Sequence, residues 1–143
     1  MILMDANVLI NVFRRDADRH SEFSEWLESR LSLEPLFGYS EFVLSAFIRI
    51  VTHPRIFAKP STTKEAFEFT EAVRTQPNAI RISPKENHWD IFRKLCSEAG
   101  AKGNLIPDAY LAALAIESGS TWMTCDRDFA RFKGLKWRHP LDA

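Results

Sequence analysis

Apolar residues follow two rhythms along this chain, and the switch between them predicts the elements. Residues 1–4 form a short apolar run without helical period, as in a strand covered on both faces of a parallel sheet, and the run stops at Asp5. Residues 7–15 and 18–31 read as helices. In the second of these, Phe23, Trp26, Leu27 and Leu31 recur at three and four positions while Glu22, Glu25 and Arg30 face outward. Residues 34–39 suggest a second strand. Ser40 then fits the N-cap of a helix lined by Val43, Leu44, Phe47, Ile48 and Val51 and closed by His53-Pro54, which puts Glu41 in its first turn. After a loop from Pro54 to Thr63, Ser61 or Thr62 can cap a helix with Ala66, Phe69, Thr70 and Val73 on one face.

Residues 78–82 read as a strand. Residues 84–99 read as an amphipathic helix that carries Trp89, Phe92, Leu95 and Cys96 inward and ends at Gly100. Pro107 suits the first turn of the next helix, where its missing amide proton costs nothing, and Asp108 follows it. Ala109, Ala112, Ala113 and Ile116 give that helix a small-residue face for close packing, until Gly119 ends it. Residues 121–125 are a strand, 127–132 one or two helical turns, and 135–137 a last short strand. Strand and helix alternate throughout, which predicts an α/β fold with a parallel sheet covered on both faces.

Composition narrows the picture. A chain of 143 residues, 45% of them hydrophobic, has the material for one core, and no repeat or linker divides it, so residues 1–143 are expected to form a single domain. Its 19 basic and 19 acidic side chains cancel, so binding of nucleic acid would have to be local and not driven by a global field. Cys96 and Cys125 are too few for a disulfide framework and lack zinc-ligand spacing, which suggests a reducing compartment, the cytoplasm. The first residues lack the basic lead and long apolar run of a signal peptide, and no stretch is long enough and apolar enough for a membrane span.

The candidate chemistry lies in four acids. In open parallel sheets ligands bind beyond the carboxyl ends of the strands, where strand order reverses. Asp5 ends the first strand, Asp126 follows the fourth, and Glu41 and Asp108 each open a helix whose start can face the same edge. Taken singly, such acids are ordinary in turns and at helix starts. Converging, they would repel one another and hold their protons unless a cation neutralised them. Carboxylate oxygens select hard ions such as Mg²⁺ or Mn²⁺, and His20, His53, His88 and His139 are scattered without ligand spacing.

Four segments carry a resemblance: Met4-Asp5-Ala6-Asn7-Val8-Leu9, Ser40-Glu41-Phe42, Gly103-Asn104-Leu105-Ile106-Pro107-Asp108-Ala109-Tyr110-Leu111-Ala112-Ala113-Leu114-Ala115, and Thr124-Cys125-Asp126-Arg127-Asp128-Phe129. In this order the chain resembles the PIN domain and, within it, the VapC toxins of bacterial toxin–antitoxin pairs. The resemblance implies a three-layer α/β/α sandwich with a central, mainly parallel sheet, a Mg²⁺ or Mn²⁺ site, and hydrolysis of phosphodiester bonds in structured RNA such as tRNA or rRNA. It also implies a cognate antitoxin of the type II kind and a homodimer. On it, Asp5, Glu41, Asp108 and Asp126 become the catalytic and metal-binding acids, with Glu41 or Asp126 taking a proton from the attacking water. Asp128 becomes an auxiliary acid, and Asn7, Thr124 and Asn104 become residues that orient the acids. Arg14, Arg15, Arg49, Arg55, Lys59, Lys102 and Arg127 are candidates for guiding RNA. Phe13, Phe23, Trp26 and Phe47 are candidates for an antitoxin groove, or equally for core packing.

Rival readings place acids at the same edge. A phosphoacceptor receiver domain needs an acceptor acid after the third strand, where this chain has Ile80-Arg81-Ile82-Ser83; a haloacid-dehalogenase-like phosphatase needs an Asp where Asn7 stands. A metal-binding scaffold of the same fold without catalysis is the third alternative.

Overall fold

A computed structural model describes residues 1–142. Its elements run β1 (Ile2–Met4), α1 (Ala6–Phe13), α2 (His20–Leu33), β2 (Phe37–Tyr39), α3 (Glu41–Val51), α4 (Thr63–Arg74), β3 (Ala79–Arg81), α5 (His88–Ala99), α6 (Leu105–Ser118), β4 (Thr121–Met123) and β5 (Trp137–Arg138), with a 3-10 turn at Arg127–Arg131. The five strands form one sheet in the order β3-β2-β1-β4-β5, and every pairing is parallel. α1 packs on α2 and α3, α3 on α4, and α5 on α6, so two helical layers enclose the sheet in an α/β/α sandwich.

Burial follows the apolar pattern. All of β1 is buried, as expected for a strand central to a covered sheet, and Leu3 and Val8 are fully enclosed. On α6, Ala109, Ala112 and Ala113 are also fully enclosed, and their small side chains let the helix approach β4. Gly38 in β2 is required sterically: a Cβ there would stand 2.7 Å from Ile82 Cγ1. Gly119 ends α6 at φ 69°, a left-handed backbone that glycine adopts without strain.

Three expectations need correction. β2 begins at Phe37 and not at residue 34, because Pro35 has no amide proton to give a ladder and pairing starts where Phe37 N–H donates to Asn78 O, 3.0 Å. α5 begins at His88, four residues late. The amides of Lys85 and Asn87 donate to the Glu117 carboxylate, at 2.8 and 2.9 Å, which satisfies the preceding segment as a turn. Trp89 does not point inward: it is 64% exposed, at the start of a helix whose buried positions are His88 and Leu95.

Candidate active site

The sheet order reverses around β1, whose neighbours are β2 on one side and β4 on the other. A crevice is therefore expected at the carboxyl ends of β1 and β4, and Asp5 and the Thr124–Asp126 segment lie there. Asp5 N–H donates to Met123 O across 2.9 Å, which ties the two strand ends together.

A polar network fixes the Asp5 carboxylate. Oδ1 accepts from the Ala6 amide at 2.7 Å, capping α1; Oδ2 accepts from Thr124 Oγ1 at 2.7 Å and from Asn7 Nδ2 at 3.3 Å. Thr124 is fully buried, and its hydroxyl oxygen also accepts from Asn7 Nδ2 and from the Asp126 amide at 3.0 Å. Its one proton is thus committed to Asp5. Asn7 Oδ1 accepts from the Cys125 amide at 3.0 Å, so the amide orientation is set as well. Sequence reasoning passed over Asn11, whose Nδ2 donates to Asn7 O and reaches Cys125 Sγ; one turn beyond Asn7 on α1, its helical spacing was the available signal.

Asp108 sits in the first turn of α6, half-buried, and has no hydrogen-bond partner among the described residues. Burial first, then the charges of Asp126, Asp5 and Asp128, push its pKa up to about 6, with Arg131 opposing. Asp5 is also raised, by burial and by Asp126, although the bonds from Thr124 and Ala6 pull it down. The charges of Asp5, Asp108 and Asp126 thus act on one another. Asp126 caps the 3-10 turn by accepting from the Asp128 amide at 2.9 Å, and Asp128 is exposed beside Arg131.

Glu41 occupies the first turn of α3, where Ser40 caps the helix by accepting from the Val43 amide. Its carboxylate pairs with Arg74 at 3.5 Å and Arg81 at 3.6 Å. Asn104 occupies the N-cap position of α6 but makes no side-chain capping bond, and it is exposed. Among the described residues, no three carboxylate, imidazole or thiolate groups stand close enough to form a ready-made cation cage. The donor set nonetheless fits a hard divalent ion: carboxylates with no sulfur or imidazole among them, one of them lacking any donor and burdened by its neighbours' charge. Burial pushes the thiol of Cys125, next to Asp126, up to about 11, so without a metal it stays protonated and adds no negative charge to the acids.

Other candidates from the sequence fall elsewhere. Arg14 is buried at 8% exposure and is consumed by Asp16, Lys59 O and Ser61, with its guanidinium over Phe57, so it pins a loop and is not available to RNA. Arg127 is held by both oxygens of Asp142. Phe23 and Phe47 are core residues and line no groove, whereas Phe13, partly buried, packs edge-on against Phe47 and also lines an open cavity with Arg14, Lys59 and Glu65.

The family model for the PIN domain matches residues 2–135, and the chain belongs to the PIN-domain family. It falls in the VapC branch: it is 42% identical to VapC ribonuclease Mb2897 of Mycobacterium bovis over 99% of this chain and 97% of that one. It is 41% identical to Ribonuclease VapC31 of Mycobacterium tuberculosis over 98% and 99%. Among solved structures, VapBC2 from Rickettsia felis bound to a promoter DNA fragment aligns with a TM-score of 0.69 at 19% identity, over 96% of this chain and 98% of that one. Mycobacterium tuberculosis VapC20, described as a Sarcin-Ricin loop cleaving toxin, aligns at 0.64 and 15%, over 91% and 93%. The receiver alternative lapses with this membership; the strand that would precede its acceptor ends at Arg81, with Ile82 next.

Proposed function

We propose that the chain acts as a single-domain, divalent-metal-dependent endoribonuclease, the toxin of a type II toxin–antitoxin pair. The observation that carries this reading is the joined ends of β1 and β4, where Thr124 and Asn7 fix the Asp5 carboxylate and the charges of Asp5 and Asp126 act on Asp108. The curated relatives named as ribonucleases support the substrate class. Asp5, Asp108 and Asp126, with Glu41 at the rim, are the residues that would hold Mg²⁺ or Mn²⁺. When bound, such an ion supplies Lewis acidity toward a phosphoryl oxygen and lowers the pKa of water.

The protein's own contribution is order. Thr124 and Asn7 occupy Asp5 Oδ2, and the Ala6 amide takes one side of Oδ1, so the carboxylate is held in place with acceptor capacity left on Oδ1. Asp126 or Glu41 accepts the proton released by the attacking water at a carboxylate oxygen. Asp128 is an auxiliary acid and Asn104 a polar residue at the rim. The partners proposed are a structured RNA such as tRNA or rRNA, a cognate antitoxin, and a second copy in a homodimer; VapBC complexes among the solved structures support the antitoxin. Among the described residues no helix is long and apolar enough to cross a membrane, and the two free cysteines suit a reducing cytoplasm.

The test is turnover of structured RNA by the purified protein with Mg²⁺, with EDTA, and after Asp108→Asn. Cleavage that requires the ion and disappears in the variant supports the reading. Metal-dependent stabilisation without RNA turnover would favour a non-catalytic scaffold.

A further inference from the structure

Neutral net charge and an acidic pocket leave a substrate polyanion without attraction unless cations stand on the pocket's flank. Two of the cations expected to serve are committed elsewhere, Arg14 in the interior and Arg127 to Asp142. Besides Arg131 at Asp128, two others stand on the β2–β3 side of the carboxyl edge, around Glu41. Arg81 is the last residue of β3, at the carboxyl edge shared with the acids, and it is 60% exposed at its side chain; Arg74 closes α4. Both guanidinium groups converge on Glu41, one on each carboxylate oxygen.

We infer that Arg74 and Arg81 form a clamp for an RNA backbone phosphate, and that Glu41 occupies this clamp in the free protein. The inference rests on the ribonuclease reading and adds how the substrate is held. Three observations carry it. At 3.5 and 3.6 Å the two contacts exceed good hydrogen-bond length, and all three side chains are partly exposed, so the pairs are weak and readily exchanged. Arg74 Nε is enclosed without an acceptor although its terminal nitrogen is bound to Glu71 at 2.8 Å, so the resting arrangement leaves a donor unpaired. The geometry of the occupant also matches: two guanidinium groups, each facing a separate oxygen of one anion, suit the paired oxygens of a phosphodiester. Exchange of phosphate for carboxylate would free Glu41 at the moment RNA arrives. Arg74 would keep its bond to Glu71 throughout, which fixes one side of the clamp.

The experiment measures binding of a fluorescein-labelled RNA hairpin by anisotropy over a range of KCl concentrations, in EDTA so that nothing is cut. Arg81→Ala and Arg74→Ala should each weaken binding about five- to tenfold and lower the slope of log affinity against log salt by about 0.7 to 0.9, the loss of one phosphate contact. Arg81→Lys should restore most of the slope. Glu41→Gln should tighten binding, and the gain should vanish in the Arg74→Ala, Arg81→Ala background. Arg81 is exposed, so its variant folds irrespective of Arg74. Unchanged affinity and slope in Arg81→Ala overturn the clamp even if the unmodified protein cuts RNA, and undetectable binding by the unmodified protein at low salt also overturns it. Loss of slope in a protein that never cuts RNA would instead overturn the ribonuclease reading and leave the clamp standing.

Discussion

The two halves of the carboxyl edge are built on opposite principles. Over β1 and β4, Asp5 is locked by Thr124, Asn7 and its own helix, and Asp108 feels the charges of Asp126 and Asp5 with only Arg131 opposing them. Over β2 and β3, Glu41 is exposed, loosely held, and neutralised by two arginines. The first half gathers carboxylates around a fixed Asp5, the arrangement on which the proposed cation site rests. The second is already neutral and is organised to exchange partners. Burial explains the difference: β1 is enclosed along its length, whereas β3 is an edge strand with Ile80 and Arg81 in solvent.

The sharpest way to break this contrast is to remove the unpaired acid. Asp108→Asn should lower RNA turnover at saturating Mg²⁺ about a thousandfold, equivalent to about 4 kcal/mol of transition-state stabilisation. Single-turnover kinetics measures it; a loss of only a few fold would mean that the β1–β4 half is not where the chemistry occurs. Thr124→Val is a smaller lesion. It keeps the shape but removes the proton that aims Asp5, so metal affinity from a calorimetric titration should fall about 10- to 100-fold. A similar loss from a comparable change at Ser40, behind Glu41, would erase the distinction between the halves.

The smallest effect concerns the protein without metal. The folded Asp108 keeps its proton up to about 6, while the unfolded chain releases it near the ordinary 3.8. Between those values the unfolded state binds fewer protons, so stability falls as pH rises through this window and levels off above it. Thermal melts in EDTA should show this decline in the unmodified protein, with a shallower one in Asp108→Asn. Saturating Mg²⁺ should remove most of the difference.

Much of this was legible in the chain because it rests on local rules. The Ser40 cap, Pro107 ahead of Asp108 and Gly119 after α6 mark helix ends by backbone chemistry that needs no tertiary knowledge. Asp5 and Asp126 were legible from strand alternation and the switch-point rule, since the position of a strand end fixes where the acid stands. What the sequence hid depends on distant partners. Glu117 holds the amides of Lys85 and Asn87 and so delays α5. Arg14 follows a helix and reads as a surface cation, yet Lys59 O and Ser61, far along the chain, bury it. Arg74 and Arg81 carry no local signal at all, because their common partner Glu41 lies on another element.

One measurement bears most directly on the proposed metal chemistry: anomalous diffraction at the manganese edge from crystals soaked in Mn²⁺. A peak about 2.1 Å from carboxylate oxygens of both Asp5 and Asp108, absent from Asp108→Asn crystals, is expected. A peak that persists in the variant, or one bound only at Glu41 or elsewhere on the surface, would contradict a cation site at the β1–β4 crevice.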